Sequence, residues 1–148
     1  MAVQPFLSVD GGFVELLSSK NFASDNISMV LIPHSFTASI DRAGMTYGDI
    51  KASEAAIIAL PTPAVALEGT NVRFTHAKGT FTSDGSLTGR YVMYVYGLHS
   101  GPPADADKVF GYVDLTGAAE DASSVNAEFS FTPHGTNGLF QVQRSAGV

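Results

Sequence analysis

Short apolar segments separated by turn-forming residues constrain the fold of this chain most. Residues 27–32, 87–96 and 109–115 are rich in β-branched and aromatic side chains, which favour strands. Turn signals such as Ser83-Asp84-Gly85-Ser86 recur between the apolar segments, at a spacing of roughly 10 residues. No rhythm of strands and long helices is present, as an open parallel sheet would require. The pattern predicts an all-β fold, an antiparallel β-sandwich of the jelly-roll or Ig-like kind.

Three of these segments indicate which faces are buried. The run ISMVLI at 27–32 stops at Pro33, as a buried strand does. Both faces of 87–96 are apolar, which predicts a strand at the centre of the sandwich and covered on both sides. Residues 125–132 alternate instead, and we expect one buried face, formed by Val125, Ala127, Phe129 and Phe131.

The middle of the chain is less regular. Residues 34–50 contain two glycines and predict a loop with short strands, and 52–60 fits either a strand or a helix before Pro61. Residues 65–75 predict a broken strand or a hairpin, with 79–82 pairing to it. We expect an acidic loop at 118–124, a turn at 134–137 and a last short strand at 139–142.

The two ends of the chain differ from the middle. Pro5 forbids an ordinary helix interior near the start, so residues 1–9 predict an extended arm. Phe13, Leu16 and Leu17 lie on one face of a short N-terminal helix that ends near Lys20. We therefore expect an arm over 1–9, one β-sandwich domain over 10–143 and a flexible tail over 144–148.

Composition excludes several classes of protein. The chain of 148 residues carries eight basic and fourteen acidic residues, a net charge of −6, which disfavours nucleic-acid binding. It has no Cys, so disulfide scaffolds, thiolate zinc sites and Cys nucleophiles are ruled out. No apolar run reaches the roughly 20 residues of a membrane span, and the first ten residues lack the basic start of a secretory signal. We expect a protein made in the cytoplasm that does not enter a membrane.

Residues that could carry chemistry are scattered. The spacings between His34, His76, His99 and His134 are 42, 23 and 35 residues, none of which is a local metal-ligand pattern. The pair at 105–107, Asp-Ala-Asp, lacks the remaining ligands of a calcium loop. No Gly-x-Ser-x-Gly element or phosphate-binding loop is present. We therefore predict no catalytic residue, no cofactor site and no metal site, and expect that the chain is not an enzyme.

The aromatic side chains favour a packed core over a binding platform. They lie on the expected strands, and the chain has no Trp and no basic residues interleaved with the rings. The residues in question are Phe74, Phe81, Tyr91, Tyr94, Tyr96, Phe110, Tyr112, Phe129, Phe131 and Phe140.

The order of several motifs resembles a family of small virion proteins of tailed bacteriophages. In that family a Ser-Asp-x-Ile-x-Val-x-Leu strand leads to a Ser-Phe/Tyr-Thr turn, an Asp and a Tyr/Phe-x-Asp-Ile/Val element. Residues 24–50 fill these places, and residues 87–97 and 110–115 are similar to two later strands of the family. The matching positions are Ser24, Asp25, Ile27, Val30, Ser35, Phe36, Thr37, Asp41, Tyr47, Asp49 and Ile50.

The similarity continues at the C-terminal end, where SSVNAEFSFTPHGTNGLFQV matches the last motif, and it spans about residues 13–142. Two departures stand out. ASEAAIIALPTPAVAL (52–67) replaces a glycine-rich segment, and Phe131 or Thr132 stands where the family has Trp.

The resemblance implies a capsid decoration (cement) protein that binds the outside of a phage head and stabilises subunit junctions. Its implied partners are the major capsid protein and copies of itself, with trimers as the arrangement that analogy suggests, and its implied location is the capsid surface. The resemblance implies no catalytic residues. A tail or baseplate component and a carbohydrate-binding virion module are the alternatives.

Overall fold

A computed structural model of the chain describes residues 7–8, 21–23, 26–36, 44–96, 101–124, 127–135 and 138–143. Within these residues the structure is mostly strand, with a single turn of α-helix, α1 (Tyr47–Ile50), that continues into a 3₁₀ helix at Lys51–Ser53. The strands are β1 (Leu7–Ser8), β2 (Ile27–Ile32), β3 (Ala56–Ala59), β4 (Ala64–Glu68), β5 (Asn71–Thr75), β6 (Gly79–Thr82), β7 (Thr88–Gly89), β8 (Tyr91–Tyr96), β9 (Lys108–Asp114), β10 (Ala122–Ser123), β11 (Glu128–Phe131) and β12 (Phe140–Gln143).

A five-stranded antiparallel sheet forms the centre of the molecule. Its strand order is β1-β9-β8-β2-β3, so β8 lies between two long neighbours. Every residue of β2 and of β8 is buried. The prediction that 87–96 supplies a central strand covered on both sides is therefore confirmed for β8.

Three small antiparallel sheets form the second layer, with the orders β12-β5-β4, β11-β6 and β10-β7. Phe74, Phe81 and Phe129 from this layer share one core cluster with Met29 and Tyr94 of the five-stranded sheet. Alternation explains why β11 fits this arrangement, because its two phenylalanines are buried while Glu128 and Ser130 are exposed. The fold is the antiparallel all-β sandwich that the sequence predicts.

The opposite face of the five-stranded sheet is covered by residues 44–50. Met45, Tyr47 and Ile50 pack on a second core cluster that includes Val30 and Met93. Two loop carbonyls hold the helix in place: Tyr47 N–H donates to Asp107 O at 2.8 Å, and Gly48 N–H donates to Asp105 O at 2.9 Å. The sequence predicted a loop with short strands over 34–50, and this is wrong at α1, where tertiary burial outweighs weak helix propensity.

Two predicted strand arrangements are also wrong. β6 pairs with β11 and not with the 65–75 segment. Gly79 allows β6 to lie close to the five-stranded sheet, because a Cβ at this position would be only 2.9 Å from Met29 Sδ. The strand predicted at 87–96 is interrupted at Arg90, whose N–H donates to Ile32 O. The residues before the interruption form the separate strand β7, which pairs with β10 inside the expected acidic loop.

Other predictions on the middle of the chain are resolved by the structure. Of the two alternatives for 52–60, the strand is confirmed by β3, and only residues 52–53 belong to the short 3₁₀ helix that precedes it. β4 and β5 form the hairpin that 65–75 predicted. Ala127 does not continue the buried face of β11, because it has a positive φ of 59° and is half-buried.

The chain ends are described only in part. The predicted helix over 13–20, the tail over 144–148 and Val125 lie outside the described residues. Of the predicted arm, Leu7 and Ser8 are described, and they pair with Tyr112 and Gly111 of β9. This part of the arm is extended, as expected, and it adds a strand to its own sheet.

We expect the substitution Gly89→Ala to destabilise the protein by about 1–3 kcal/mol, the usual cost of overpacking a core. An added Cβ would overlap the Leu31 side chain, which is fully buried and has no room to move. Urea unfolding measures the change. Gly85→Ala is the matched control, since a Cβ there meets nothing within 4 Å, and an equal loss in both variants would contradict the packing explanation.

Candidate functional site

The three histidines that the structure describes lie in different parts of the fold. His34 Nδ1 lies 2.9 Å from Asp121 Oδ2, His76 is in the core and exposed His134 bridges to Gly138, while His99 lies outside the described residues. Across the residues that the structure describes, no three His, Asp or Glu side chains come together as a metal site would need.

His76 serves as a core polar residue. Its Nε2 lies 2.9 Å from the Tyr94 hydroxyl, and its Nδ1 lies 2.7 Å from Ala77 O. A carbonyl only accepts, so Nδ1 carries the hydrogen and Tyr94 donates to Nε2. Burial lowers the pKa of His76 below its ordinary 6.5, which keeps the ring neutral and this pair of hydrogen bonds intact.

The two carboxylates of the Asp-Ala-Asp pair make separate contacts. The Asp105 carboxylate lies 3.0 Å from Lys51 Nζ, and Asp107 Oδ2 accepts from Ala104 N–H at 2.7 Å. These two contacts hold the loop at 104–107, whose Asp105 and Asp107 carbonyls accept hydrogen bonds from the start of α1.

A largely buried ion pair ties β7 and β8 to β9. The Arg90 Nε–H is shared between the two Asp114 carboxylate oxygens, and Arg90 Nη2 donates to Asp114 Oδ2 at 2.8 Å. The N–H groups of Thr116 and Gly117 donate to the same carboxylate. Burial alone raises the pKa of Asp114, but these hydrogen bonds outweigh it, so the pKa is lowered and the carboxylate stays charged. The Arg90–Asp114 pair therefore stabilises the place where β7 gives way to β8, next to the end of β9.

The aromatic residues form core and not a platform. Nine of the ten strand aromatics named above are buried, and Phe140 is half-buried and stacked on Phe74 with ring centroids 4.4 Å apart. Phe22 packs edge-on against Phe74, Phe110 and Phe140. The preference for a core reading of these side chains is confirmed.

A cleft of about 250 Å³ lies beside β3. The described residues of its lining include no charged side chain and no histidine, so they supply no general acid or base. The lining residues are Asn26, Ser28, Ile57, Ile58, Ala59, Gly101 and Pro102.

The strongest candidate for a functional surface is an uncharged edge of the sandwich. In the part of the chain that the structure describes, β3 ends the five-stranded sheet and β4 ends the three-stranded sheet. β3 lies within residues 55–67, and β4 does so except for its last residue, Glu68. Residues 55–67 contain no charged residue, and we call them the uncharged edge segment. Proteins usually protect such edges with charges, because unpaired backbone groups invite another strand.

Apolar side chains are exposed at the same place. Val65 and Leu67 on β4 and Val142 on β12 are 43%, 76% and 38% exposed, and they are the exposed large hydrophobic residues of the described chain. Leu67 and Val142 both lie opposite Val72, so the three side chains are on the same face of the β12-β5-β4 sheet as the core. Leu67 and Val142 nevertheless stay exposed, because they lie past the end of the core. The exposed side chains of this surface are thus aliphatic.

Sequence reasoning did not select this surface. The available signal was the absence of charge from 55 to 67, directly between Glu54 and Glu68. The sequence placed Val65 and Leu67 in a broken strand or a hairpin, and nothing local shows that the hairpin extends past its core.

Comparisons with protein-family models, with curated proteins and with solved structures give no match. Among the described residues, no helix is long and apolar enough to cross a membrane.

We expect the stability of the protein to fall as pH drops below about 6.5, because of His76. The unfolded chain takes up a proton at its ordinary pKa, whereas the folded ring resists it, so the contribution of His76 is complete above 6.5 and is lost toward lower pH. Urea unfolding between about pH 5 and pH 7.5 measures this slope. His76→Gln should flatten it, and His134→Gln, at an exposed position, is the control. An unchanged slope in His76→Gln would assign the effect to other groups.

We expect Arg90→Met to destabilise the protein by about 3 kcal/mol, because the buried Asp114 carboxylate loses its cation. Lys51→Met is the matched control, since it breaks a pair in which both side chains are exposed, and such pairs contribute less than about 1 kcal/mol. Thermal or urea unfolding compares the two, and similar losses would show that burial does not set the contribution of the Arg90 pair.

Proposed function

We propose that this chain is a capsid decoration (cement) protein that binds the outside of a tailed-phage head and stabilises the junctions between shell subunits. The uncharged edge segment is the observation that carries the proposal, because it leaves two strand edges of a packed sandwich available for adhesion. The ordered resemblance of residues 13–142 to small phage virion proteins supports the same function.

The remaining side chains support an adhesive role over a catalytic one. The polar groups described above, Arg90 with Asp114, His76 with Tyr94, and Asp105 with Lys51, are each engaged in holding the fold. A decoration protein needs a rigid body and a complementary surface, and repeated weak contacts on a fixed shell add through effective concentration.

Charge supports an outer position on the head. A net charge of −6 would be repelled by packaged DNA, which carries one negative charge per phosphate. On the outer surface the same charge keeps the free copies apart in solution until the shell holds them.

A tail or baseplate component is the second candidate. The free edges of β3 and β4 are also suited to ring closure, in which each subunit adds its edge to the next. Rings in electron micrographs of the purified protein would favour this candidate.

The proposal is tested by binding to heads. Purified protein is mixed with empty heads assembled from the major capsid protein of the phage whose genome carries this reading frame, and the heads are sedimented. We expect saturable co-sedimentation at a fixed ratio of copies to shell subunits, and a raised unfolding temperature of the decorated heads. Heads of an unrelated phage are the control, and absence of co-sedimentation with the matching heads would overturn the proposal.

A further inference from the structure

We infer that β4 is a self-association edge, on which two copies of the chain pair their β4 strands antiparallel about a two-fold axis at Ala66. The pairing joins two β12-β5-β4 sheets into one six-stranded sheet. It follows from the geometry of the strand and stands independently of the proposed function.

The hairpin geometry places the correct backbone groups on the free edge. β4 and β5 are joined by the two-residue turn Gly69-Thr70, with Gly69 at φ 63°, and Glu68 and Asn71 form the closing pair. In such a hairpin the closing pair is hydrogen-bonded, and hydrogen-bonded pairs alternate along the ladder. The backbone groups of residues 64, 66 and 68 therefore face β5, and those of Val65 and Leu67 face outward.

A two-fold axis at Ala66 matches these outward groups. It places Val65 opposite Leu67 of the second copy, and Leu67 opposite Val65, so the four outward N–H and C=O groups of one copy meet the four of the other. The central Ala66 pair is then a close pair without hydrogen bonds, a position that small side chains fit. The strand is thus self-complementary, as an isologous contact requires.

The side chains agree with this register. Val65 and Leu67 lie on one face of β4, where the pairing would bring four exposed aliphatic side chains into contact. Ala64 and Ala66 lie on the other face and present no bulk that would hold the strands apart.

Charge selects the antiparallel arrangement. Glu68 is the one charged residue of β4, and the two-fold pairing sets the two Glu68 residues about 14 Å apart along the ladder, at ~3.4 Å per residue. This exceeds the Debye length of about 8 Å at physiological salt, whereas parallel pairing would put the two carboxylates side by side.

The contact is small. One strand pairing and four aliphatic side chains fall short of the about 800 Å² per partner that a stable dimer buries. We therefore expect weak, concentration-dependent dimers that strengthen as salt screens the charge of −6 on each copy.

Sedimentation velocity tests the inference, from about 10 μM to about 1 mM protein at low and at high NaCl. We expect the mass to double with concentration and the dissociation constant to fall at high salt. Leu67→Lys should weaken the dimer about tenfold or more, since it puts a charge on the paired edge. Thr82→Lys is the matched control: it makes the same change in net charge at an exposed strand position away from β4, and should change the constant less than about twofold.

Amide hydrogen exchange gives a second readout that identifies the strand. The amides of Val65 and Leu67 should exchange quickly in dilute protein and more slowly at high concentration, while the Ala66 amide, which faces β5, should change little. A monomer at every concentration and salt, a trimer, or a dimer that Leu67→Lys leaves intact would each overturn the inference.

Discussion

Burial of β8 on both of its faces is the constraint on which the rest of the structure depends. Its six residues are all apolar or aromatic, and their side chains alternate between the two faces of the sheet, so each face needs its own cover. The small sheets cover the side of Tyr94, and residues 44–50 cover the side of Met93. Many of the described residues therefore pack on one face or the other of β8. The polar groups among them form hydrogen bonds that hold these packed segments in place.

The second layer also explains the exposed edge. It is divided among three small sheets, and each small sheet has edges that the five-stranded sheet does not pair. The core needs Phe74 and Phe140, but the hairpin that carries Phe74 continues to Leu67, whose side chain is 76% exposed. An apolar side chain this exposed stabilises the monomer less than a buried one does, and a contact with another molecule would bury more of its surface.

The strands that the sequence predicted are those whose own side chains decide their burial. β2, β8, β9 and β11 have apolar runs or strict alternation, and these signals are local. Three features were missed because each depends on residues distant in sequence. β6 packs through Gly79 on Met29, and Arg90, where the strand breaks, pairs with Asp114. The helix α1 is held by the carbonyls of Asp105 and Asp107. The candidate surface was missed for the same reason, since the exposure of Leu67 depends on where the core ends.

An uncharged edge on an acidic chain has a physical consequence of its own. Repulsion between copies acts over a Debye length, whereas strand pairing acts only at contact, so the two effects separate by distance. In the proposed role, charge keeps the copies apart in dilute solution, whereas copies held side by side on a shell have already overcome that repulsion. The contact between edges then needs only to be favourable at short range. The five residues of β4 can achieve this, because Glu68 at the end of the strand is their only charged residue. A stronger edge would pair in solution before reaching a scaffold, and for this reason a weak edge serves an assembling protein better than a strong one.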